Sequence, residues 1–391
     1  IKSVEYEMLK GRVGYISLSA FQSNSVTHFK EALDELQGMK GLVFDLRGNP
    51  GGQLNVAIDI ADLFLDSGTI VATAGRTRDQ QSVRNATPSG TQGRYPIVVL
   101  IDANSASAAE IIAGALRNHG RVVLVGQTTF GKGSVQMILP MPGDGALKLT
   151  SAQYLTPGDV SIQAVGVAPD VSFRLYAVEK KDLDLGESRD RFSEADLSAH
   201  LDRPSTRTRT DRPRSIYGTL FIPAGERKAD QDRYERCFVK EDRTPFRGRY
   251  EKEFARRLIA GTDGTTAEEL LVQAHRMIGQ DNQKQDQTMQ RAFRRLGVDW
   301  SKGRPTQKRL ELPETDPEQD GPFDSRVTAS ARIVGPVVPG RAFKINVTVK
   351  NGSSKPIYRL QAITESDNAI LDGYEFAFGK VGPGKRRTWS T

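Results

Sequence analysis

The stretch IVVLIDANSASAAEIIAGAL, residues 97–116, decides the fold of the first part of this chain. Its first five residues are all apolar, as in a strand that is buried on both faces of a sheet. After Ser105 the apolar residues Ile111, Ile112 and Leu116 recur at helical spacing. The stretch therefore predicts a buried strand that turns into a helix through a run of small residues.

Strand and helix patterns alternate on both sides of this stretch. Short apolar runs predict strands, and apolar residues at helical spacing predict helices between them. Strands are predicted at residues 13–18, 41–46 and 122–125. One helix is predicted to begin at Ser25, and a second to run through Val56–Leu63. Further strand patterns follow at 134–139 and 147–155. This alternation is typical of an α/β fold, in which helices cover a sheet.

Length and composition limit the class of protein. The chain has 391 residues and a formal net charge of +7, a modest excess that does not indicate a nucleic-acid partner. A single cysteine, Cys237, excludes an internal disulfide, and no Cys/His cluster has metal-site spacing, so we expect no metal and no cofactor. No apolar run is long enough to span a membrane. The chain does not begin with Met, and we expect it to be part of a longer protein.

After residue 175 the sequence becomes polar and broken. The basic segment 203–214 predicts an exposed, solvated linker in preference to a surface for membrane or nucleic acid. Helix patterns follow at Tyr250–Ile259, after a capping-box spacing at 265–268, and at Thr288–Leu296. A second linker is predicted at 303–322.

The last segment has strand patterns. Residues 343–349 alternate with period two, and an Asn-Gly turn signal leads into a second strand at 358–362. This pattern predicts a small all-β, immunoglobulin-like sandwich. We therefore predict a globular core at 1–175, a polar linker with a helical extension at 176–320, and a truncated β-sandwich at 321–391.

The first candidate site is the segment around Ser105 and Ser107. A serine at a helix start has unpaired backbone N–H groups beside it, at the positive end of the helix dipole. Acyl transfer needs such donors for its oxyanion. The alternative is that either serine merely caps the helix.

The second candidate is Lys132, which lies between two glycines at 131 and 133. An exposed lysine is protonated near neutral pH, whereas a buried one held by a polar neighbour can be neutral and accept a proton from serine. Gln136 lies four residues later and could hold the amine. The alternative is a phosphate-binding loop, which requires a helix next; residues 134–139 instead have a strand pattern.

The third candidate is the pair Gly51 and Gly52, which follows a predicted strand and can direct backbone N–H groups at a ligand. An ordinary strand-to-helix turn is the alternative. No Ser-His-Asp arrangement is evident, since His28 and His119 are more easily explained as surface or cap residues. Paired carboxylates with glycosidase geometry cannot be defined from the sequence.

Together these three segments, in this order, resemble the C-terminal processing peptidases, also called tail-specific proteases, of S41 type. The resemblance covers residues 4–175 and includes 6–9, 14–16, 45–52, 105–108, 130–133 and the turn at 166–170. It implies that Ser107 is the nucleophile, that Lys132 is the general base and that Gln136 orients the lysine. It also implies an oxyanion hole made by the N–H of Ala108 and of Gly51 or Gly52.

The resemblance further implies a ClpP/crotonase-like α/β spiral for the core. Family members usually carry a PDZ domain just before the point where this chain begins, and that domain binds the C-terminal tail of the substrate. We therefore expect a serine endopeptidase of the bacterial envelope, in the periplasm, that acts on unfolded proteins or exposed C-termini. An envelope partner for the β-sandwich and a homo-oligomer are further expectations.

Two other classes remain open at this point. One is a catalytically silent scaffold that keeps a peptidase fold for binding. The other is a crotonase-type acyl-CoA hydrolase on the same fold, although the sequence has no evident acyl-CoA site. Cleavage of a protein substrate argues against the first class, and a thioester assay separates the second.

Overall fold

The apolar runs at 41–45 and 97–101 are buried along their whole length in the computed structural model. The structure describes residues 2–77, 80–141, 145–179, 182–185, 193–197, 215–222, 246–302, 326–334, 344–364 and 374–390. The predicted linkers at 203–214 and 303–322 lie outside these residues. The chain forms two units, Ile1–Phe173 with Asp190–Gly218 and Arg233–Asp281, and Arg174–Arg189 with Thr219–Asp232 and Asn282–Thr391.

A mostly parallel sheet lies at the centre of the first unit. The strands of this part of the chain are β1 (Val4–Leu9), β2 (Val13–Leu18), β3 (Gly41–Asp45), β4 (Thr69–Gly75), β5 (Ser82–Asn85), β6 (Ile97–Ile101), β7 (Val123–Gly126), β8 (Ser134–Pro140), β9 (Ala146–Thr156), β10 (Val160–Ser161) and β11 (Val171–Glu179). The sheet has the order β1-β2-β3-β6-β7-β11. The β1–β2 pair is antiparallel and the other pairs are parallel.

Four helices accompany this sheet: α1 (Ser25–Glu35), α2 (Leu54–Asp62), α3 (Ala108–Asn118) and α4 (Phe246–Ala260). The ring of Phe29 on α1 packs edge-on against Phe44 at 5.0 Å and Phe64 at 6.0 Å, measured between centroids. Burial of each such side chain contributes about 1.5–3 kcal/mol to folding. The predicted α/β core is confirmed.

Helix α4 packs on the parallel sheet, where it contacts β2, β3, β6 and β7. It buries Phe254, Leu258 and Ile259, and the Phe254 ring lies 5.0 Å from that of Phe173 at the start of β11. The helix that the sequence predicts at Tyr250–Ile259 thus exists and begins earlier, at Phe246.

A second, antiparallel sheet of the first unit has the order β10-β9-β4-β5, with β8 also paired to β9. Strand β8 begins two residues after Lys132. The strand predicted at 134–139 is thus confirmed. A phosphate-binding loop would be followed by a helix at this position, so the Lys132 loop is not of that type.

The two helices predicted around 265–296 form one continuous helix, α5 (Ala267–Arg295). The prediction of a separate helix at Thr288–Leu296 was wrong, because the polar residues between the two segments include no proline and are tolerated in a solvated helix. The capping box also lies one residue later than predicted. Thr266 Oγ1 accepts the Glu269 N–H at 3.3 Å, and Glu269 Oε2 accepts the Thr266 N–H at 3.1 Å.

The second unit contains the end of β11, the last turns of α5 and further strands. These are β12 (Asp182–Asp184), the end of β13 (Ile216–Phe221), β14 (Val327–Val334), β15 (Lys344–Asn351), β16 (Ile357–Ile363), β17 (Glu375–Val381) and β18 (Arg386–Ser390). Strands β14-β15-β18 form one sheet and β16-β17 another. The unit has its own core, in which the rings of Phe293 and Trp300 stack at 4.1 Å. The immunoglobulin-like architecture stays a prediction.

No helix in the described part of the chain is both long and apolar enough to cross a membrane. Across the same residues, no group of three or more His, Cys, Asp and Glu side chains is arranged to hold a metal ion.

Candidate active site

Ser107 lies at the turn between β6 and α3, where it is the residue that precedes the first helical turn. Its backbone has φ 55° and ψ −114°, a conformation that L-residues rarely adopt. Such strain costs on the order of 1–3 kcal/mol and is concentrated at functional sites. Ser105, by contrast, is fully buried, and its hydroxyl donates to the carbonyl of Leu46 at 2.8 Å. Of the two serines, Ser105 therefore supports the loop, while Ser107 is only partly buried.

Two glycines approach Ser107 from the β3–α2 loop. A Cβ on Gly51 would lie 2.9 Å from Ser107 Cβ and 3.0 Å from the nitrogen of Ala108, so only glycine fits there. The Gly51 N–H donates to Asn49 Oδ1 at 2.8 Å. Among the described residues, the N–H groups of Gly52 and Ala108 have no acceptor. These two N–H groups, and not that of Gly51, are the donors available to a ligand.

Lys132 lies on a loop whose two glycines are in close contact with residues 163–166. A Cβ on Gly133 would lie 2.8 Å from the nitrogen of Gln163, and Gly131 has φ 99°. The Gly131 carbonyl accepts the N–H of Ala164 at 2.8 Å. The Lys132 side chain is half-buried and makes no hydrogen bond or ion pair with any described residue. Its amine is therefore not committed to a structural contact.

Glu110 joins the serine segment to the lysine loop. Its Oε2 accepts the backbone N–H of Ser107 and that of Lys132, each at 2.8 Å. Its Oε1 accepts the N–H of Gly131 at 2.7 Å and the hydroxyl of Thr129. The carboxylate thus uses both oxygens to hold the two segments together from inside the protein.

The electrostatics of Glu110 reflect this position. The side chain is completely buried, and burial raises its pKa to about 7. The hydrogen bonds from Thr129 and from the N–H groups of Gly131, Ser107 and Lys132 oppose that rise. All four donors are satisfied together only by the ionised carboxylate, because a protonated one would turn one acceptor site into a donor.

Gln136 lies on β8 with an exposed side chain. Its amide nitrogen donates to Thr150 Oγ1 at 2.8 Å and contacts Ser134 Oγ at 3.3 Å. No hydrogen bond joins it to Lys132 in the described part of the structure. The predicted role of Gln136 in orienting the lysine stays a prediction.

Sequence reasoning missed Glu110, Asn49 and Thr129. Glu110 had a recognisable signal, because it lies three residues after Ser107 at the position of a capping-box acid. Asn49 and Thr129 had none. Asn49 is fully buried, and its amide also donates to the Leu18 carbonyl at 2.7 Å, a contact between segments that are distant in sequence.

Comparison with known proteins covers this same part of the chain. Residues 12–173 match the sequence model of peptidase family S41. The carboxy-terminal-processing protease of Bartonella bacilliformis is 42% identical over 197 residues, which are 48% of this chain and 45% of that protein. The carboxyl-terminal-processing protease of Synechocystis sp. is 42% identical over 160 residues, 40% of this chain and 37% of that protein.

A solved structure, the photosystem II D1 C-terminal processing protease, is 31% identical with a TM-score of 0.41, over 44% of this chain and 48% of that one. The chain thus spans less than half the length of each of these relatives. The resemblance to the C-terminal processing peptidases is confirmed: residues 12–173 match the model of peptidase family S41, and relatives named as C-terminal processing proteases align with this chain at 42% identity.

Proposed function

We propose that this chain carries the catalytic part of a serine endopeptidase, in which Ser107 is the nucleophile and Lys132 the general base. The observation that carries the proposal is the shared carboxylate of Glu110. Because the N–H groups of Ser107 and Lys132 donate to one oxygen at 2.8 Å each, the two nitrogens lie within twice that distance of each other. A lysine with an uncommitted amine, on a backbone segment held next to a strained serine, fits the arrangement that activates a serine.

The reaction proceeds in two stages. The neutral amine of Lys132 accepts the hydroxyl proton as Ser107 Oγ bonds to the scissile carbonyl carbon, and the carbonyl electrons move to oxygen. The tetrahedral intermediate collapses, the C–N bond breaks, and the leaving amine takes the proton from Lys132. Water then adds to the acyl ester while Lys132 takes one of its protons. The second tetrahedral intermediate collapses, the ester C–O bond to Ser107 breaks, Lys132 returns that proton to Ser107 Oγ, and the carboxylic acid leaves.

The oxyanion of the intermediate is bound by the backbone N–H groups of Ala108 and Gly52. The sequence did not decide whether Gly51 or Gly52 provides the second donor. Because the Gly51 N–H already donates to Asn49 Oδ1, we choose Gly52. Gln136 is proposed to orient the Lys132 amine once substrate excludes water. In that state Gln136 Oε1 accepts a hydrogen bond from the lysine amine, which leaves the nitrogen lone pair of Lys132 available to the serine proton.

Several wider features belong to the same proposal. We propose that the substrates are selected through their C-terminal tails, which is supported by the names of the C-terminal processing relatives. We also propose a bacterial periplasmic location. A ClpP/crotonase-like spiral is proposed for the core. The later part of the chain is proposed to form a helical extension and an immunoglobulin-like sandwich that docks an envelope protein, and the protein is proposed to form a homo-oligomer.

The experiment compares cleavage of casein by the wild-type protein, by Ser107→Ala and by Ser82→Ala, an exposed serine on β5 that serves as control. We expect cleavage by the wild type and the control only, with all three proteins equally folded by circular dichroism. Cleavage by Ser107→Ala would contradict the proposal. Hydrolysis of an acyl-CoA thioester without casein cleavage would replace it with the hydrolase alternative.

A further inference from the structure

Arg47 connects helix α4 to the loop that carries Gly51 and Gly52. Its guanidinium donates to both oxygens of Asp45, with Nε 2.9 Å from Oδ1 and Nη2 2.6 Å from Oδ2. Its Nη1 donates to the carbonyl of Gly248 at 2.8 Å and to Glu251 Oε2 at 3.2 Å. The latter two residues lie on α4, outside the segment that matches the peptidase family.

Glu251 is the acidic partner that α4 supplies, and its side chain is 3% exposed. Its Oε1 accepts Arg247 Nε at 3.1 Å, and Arg247 in turn donates to the Phe173 carbonyl at 2.7 Å. Burial raises the pKa of Glu251, and the two arginines oppose that rise. A buried carboxylate is kept only where partners compensate its charge, so this cluster is a built feature.

The charged groups that face this cluster come from several elements. Two carboxylates, Asp45 and Glu251, balance two guanidiniums, Arg47 and Arg247. The Tyr15 hydroxyl on β2 donates to Asp45 Oδ2 at 2.8 Å. Asp102, at the end of β6, adds a further negative charge near Glu251. The four groups that form ion pairs are therefore neutral together, and loss of the Glu251 carboxylate leaves one excess positive charge among them.

The loop itself leads from Arg47 to the proposed oxyanion donors. The Gly48 N–H donates to Asp102 Oδ1 at 2.9 Å, and the Asn49 N–H donates to the Leu46 carbonyl at 3.2 Å. The Asn49 carbonyl then accepts the Ala106 N–H at 2.9 Å, directly before the nucleophile. A shift of Arg47 would therefore reach the backbone next to Ser107 through these few hydrogen bonds.

We propose that Glu251 is a positioning residue for the peptidase reaction: through Arg47 it holds the loop 46–52 so that the Gly52 N–H faces the oxyanion. This rests on the proposed peptidase function. It makes α4, outside the matched family segment, a part of the catalytic unit. Because the loop acts on the transition state, its displacement lowers kcat and leaves KM nearly unchanged.

The test uses the full chain with Glu251→Gln, which keeps the size of the side chain and removes its charge. Glu253→Gln is the matched control, because Glu253 lies on the same helix, is half-exposed and pairs with Arg256. Hydrogen exchange of the backbone amides at 46–53 is measured by mass spectrometry, together with kcat and KM on a peptide substrate. Thermal unfolding shows whether each variant is folded.

We expect exchange in the loop to accelerate by about tenfold or more in Glu251→Gln, with unchanged exchange in β6 and β7, and kcat to fall by a similar factor. Glu253→Gln should match the wild type. Wild-type exchange in the loop together with wild-type kcat in Glu251→Gln would overturn the proposal. So would a general loss of protection across the sheet, which indicates a purely structural role.

A second variant covers the case in which Glu251→Gln does not fold. Arg47→Lys keeps the positive charge between Asp45 and Glu251 and loses the planar fork that reaches the Gly248 carbonyl. Faster exchange confined to residues 46–53 supports the proposal, and unchanged exchange overturns it. If the wild-type protein cleaves no peptide, the peptidase function fails, while the exchange data still decide whether Glu251 holds the loop.

Discussion

The backbone N–H groups of Ser107 and Lys132 donate to the same carboxylate oxygen of Glu110, each at 2.8 Å. This contact fixes the distance between two segments that are far apart in sequence. Because catalysis by a serine and a lysine depends on their separation, the buried carboxylate defines the geometry of the proposed dyad.

Replacement of Glu110 by alanine is expected to lower kcat strongly. The change leaves the N–H groups of Ser107, Gly131 and Lys132 without their acceptor, and the two segments can separate. We expect a loss of about 100-fold or more in kcat. Peptide hydrolysis measures it, and Glu268→Ala, at an exposed position in the first turn of α5, is the control. A Glu110→Ala protein that is folded and fully active would show that the carboxylate is dispensable.

The pH dependence of stability should contain a component from Glu110. Its pKa of about 7 in the folded protein lies above the ordinary value of 4.5, so the folded state binds more protons between these values. The stability from this group is fully present below pH 4.5 and is lost as the pH rises through 7, by roughly 3 kcal/mol at most. Urea unfolding between pH 5 and 8 should therefore show a shallower decline for Glu110→Gln, and identical slopes would refute this.

The catalytic activity should change with pH in the direction opposite to that of the stability. Above pH 7 the ionised Glu110 accepts all four hydrogen bonds, whereas protonation at lower pH removes one acceptor and loosens the lysine loop. We expect kcat to fall as the pH drops through about 7. A pH profile of kcat for the wild type checks this. A kcat that stays constant from pH 8 to 5 would contradict it.

Asn49→Ala should destabilise the protein by about 1–3 kcal/mol, since the buried amide bonds both the Leu18 carbonyl and the Gly51 N–H. Urea unfolding is the measurement, and Asn55→Ala, at an exposed position on α2, is the matched control. If both variants unfold at the wild-type urea concentration, Asn49 does not support the loop.

Asp170→Ala is expected to cost about 3–5 kcal/mol of stability, because it leaves the Arg117 guanidinium in a buried site without this carboxylate. The Asp170 oxygens accept Arg117 Nε and the Leu124 N–H, each at 2.9 Å. The exposed pair of Asp66 and Arg94 is the control, and Asp66→Ala should change stability by about 0–1 kcal/mol. Equal effects of the two substitutions would contradict this reading of the buried pair.

The core could be predicted because its signals are local. The apolar run at 97–101 and the helical spacing after Ser105 each depend on a few neighbouring residues, and both elements are present. The glycines around Lys132 likewise predicted a tight turn. The residues that these glycines contact, 163–166, could not be predicted, because that contact joins segments distant in sequence.

Other features depend on contacts that no spacing encodes. The acceptor of the Gly51 N–H is a side chain two residues away, and only the turn of the loop brings it there. Helix α4 was predicted from its periodicity, but its place on the parallel sheet was not. No sequence signal distinguishes Glu251 from the other charged residues of that helix, and the structure shows that it is buried against Arg47.

The most direct test of the central claim is covalent labelling of the full chain with a fluorophosphonate, mapped by mass spectrometry. We predict a single adduct on Ser107 in the wild type and in Lys30→Ala, an exposed lysine that serves as control. No adduct should form in Ser107→Ala, and labelling should be strongly slowed in Lys132→Ala, which lacks the base. Labelling at another residue, or an unlabelled Ser107 in a protein that cleaves peptides, would contradict the claim that Ser107 is the nucleophile.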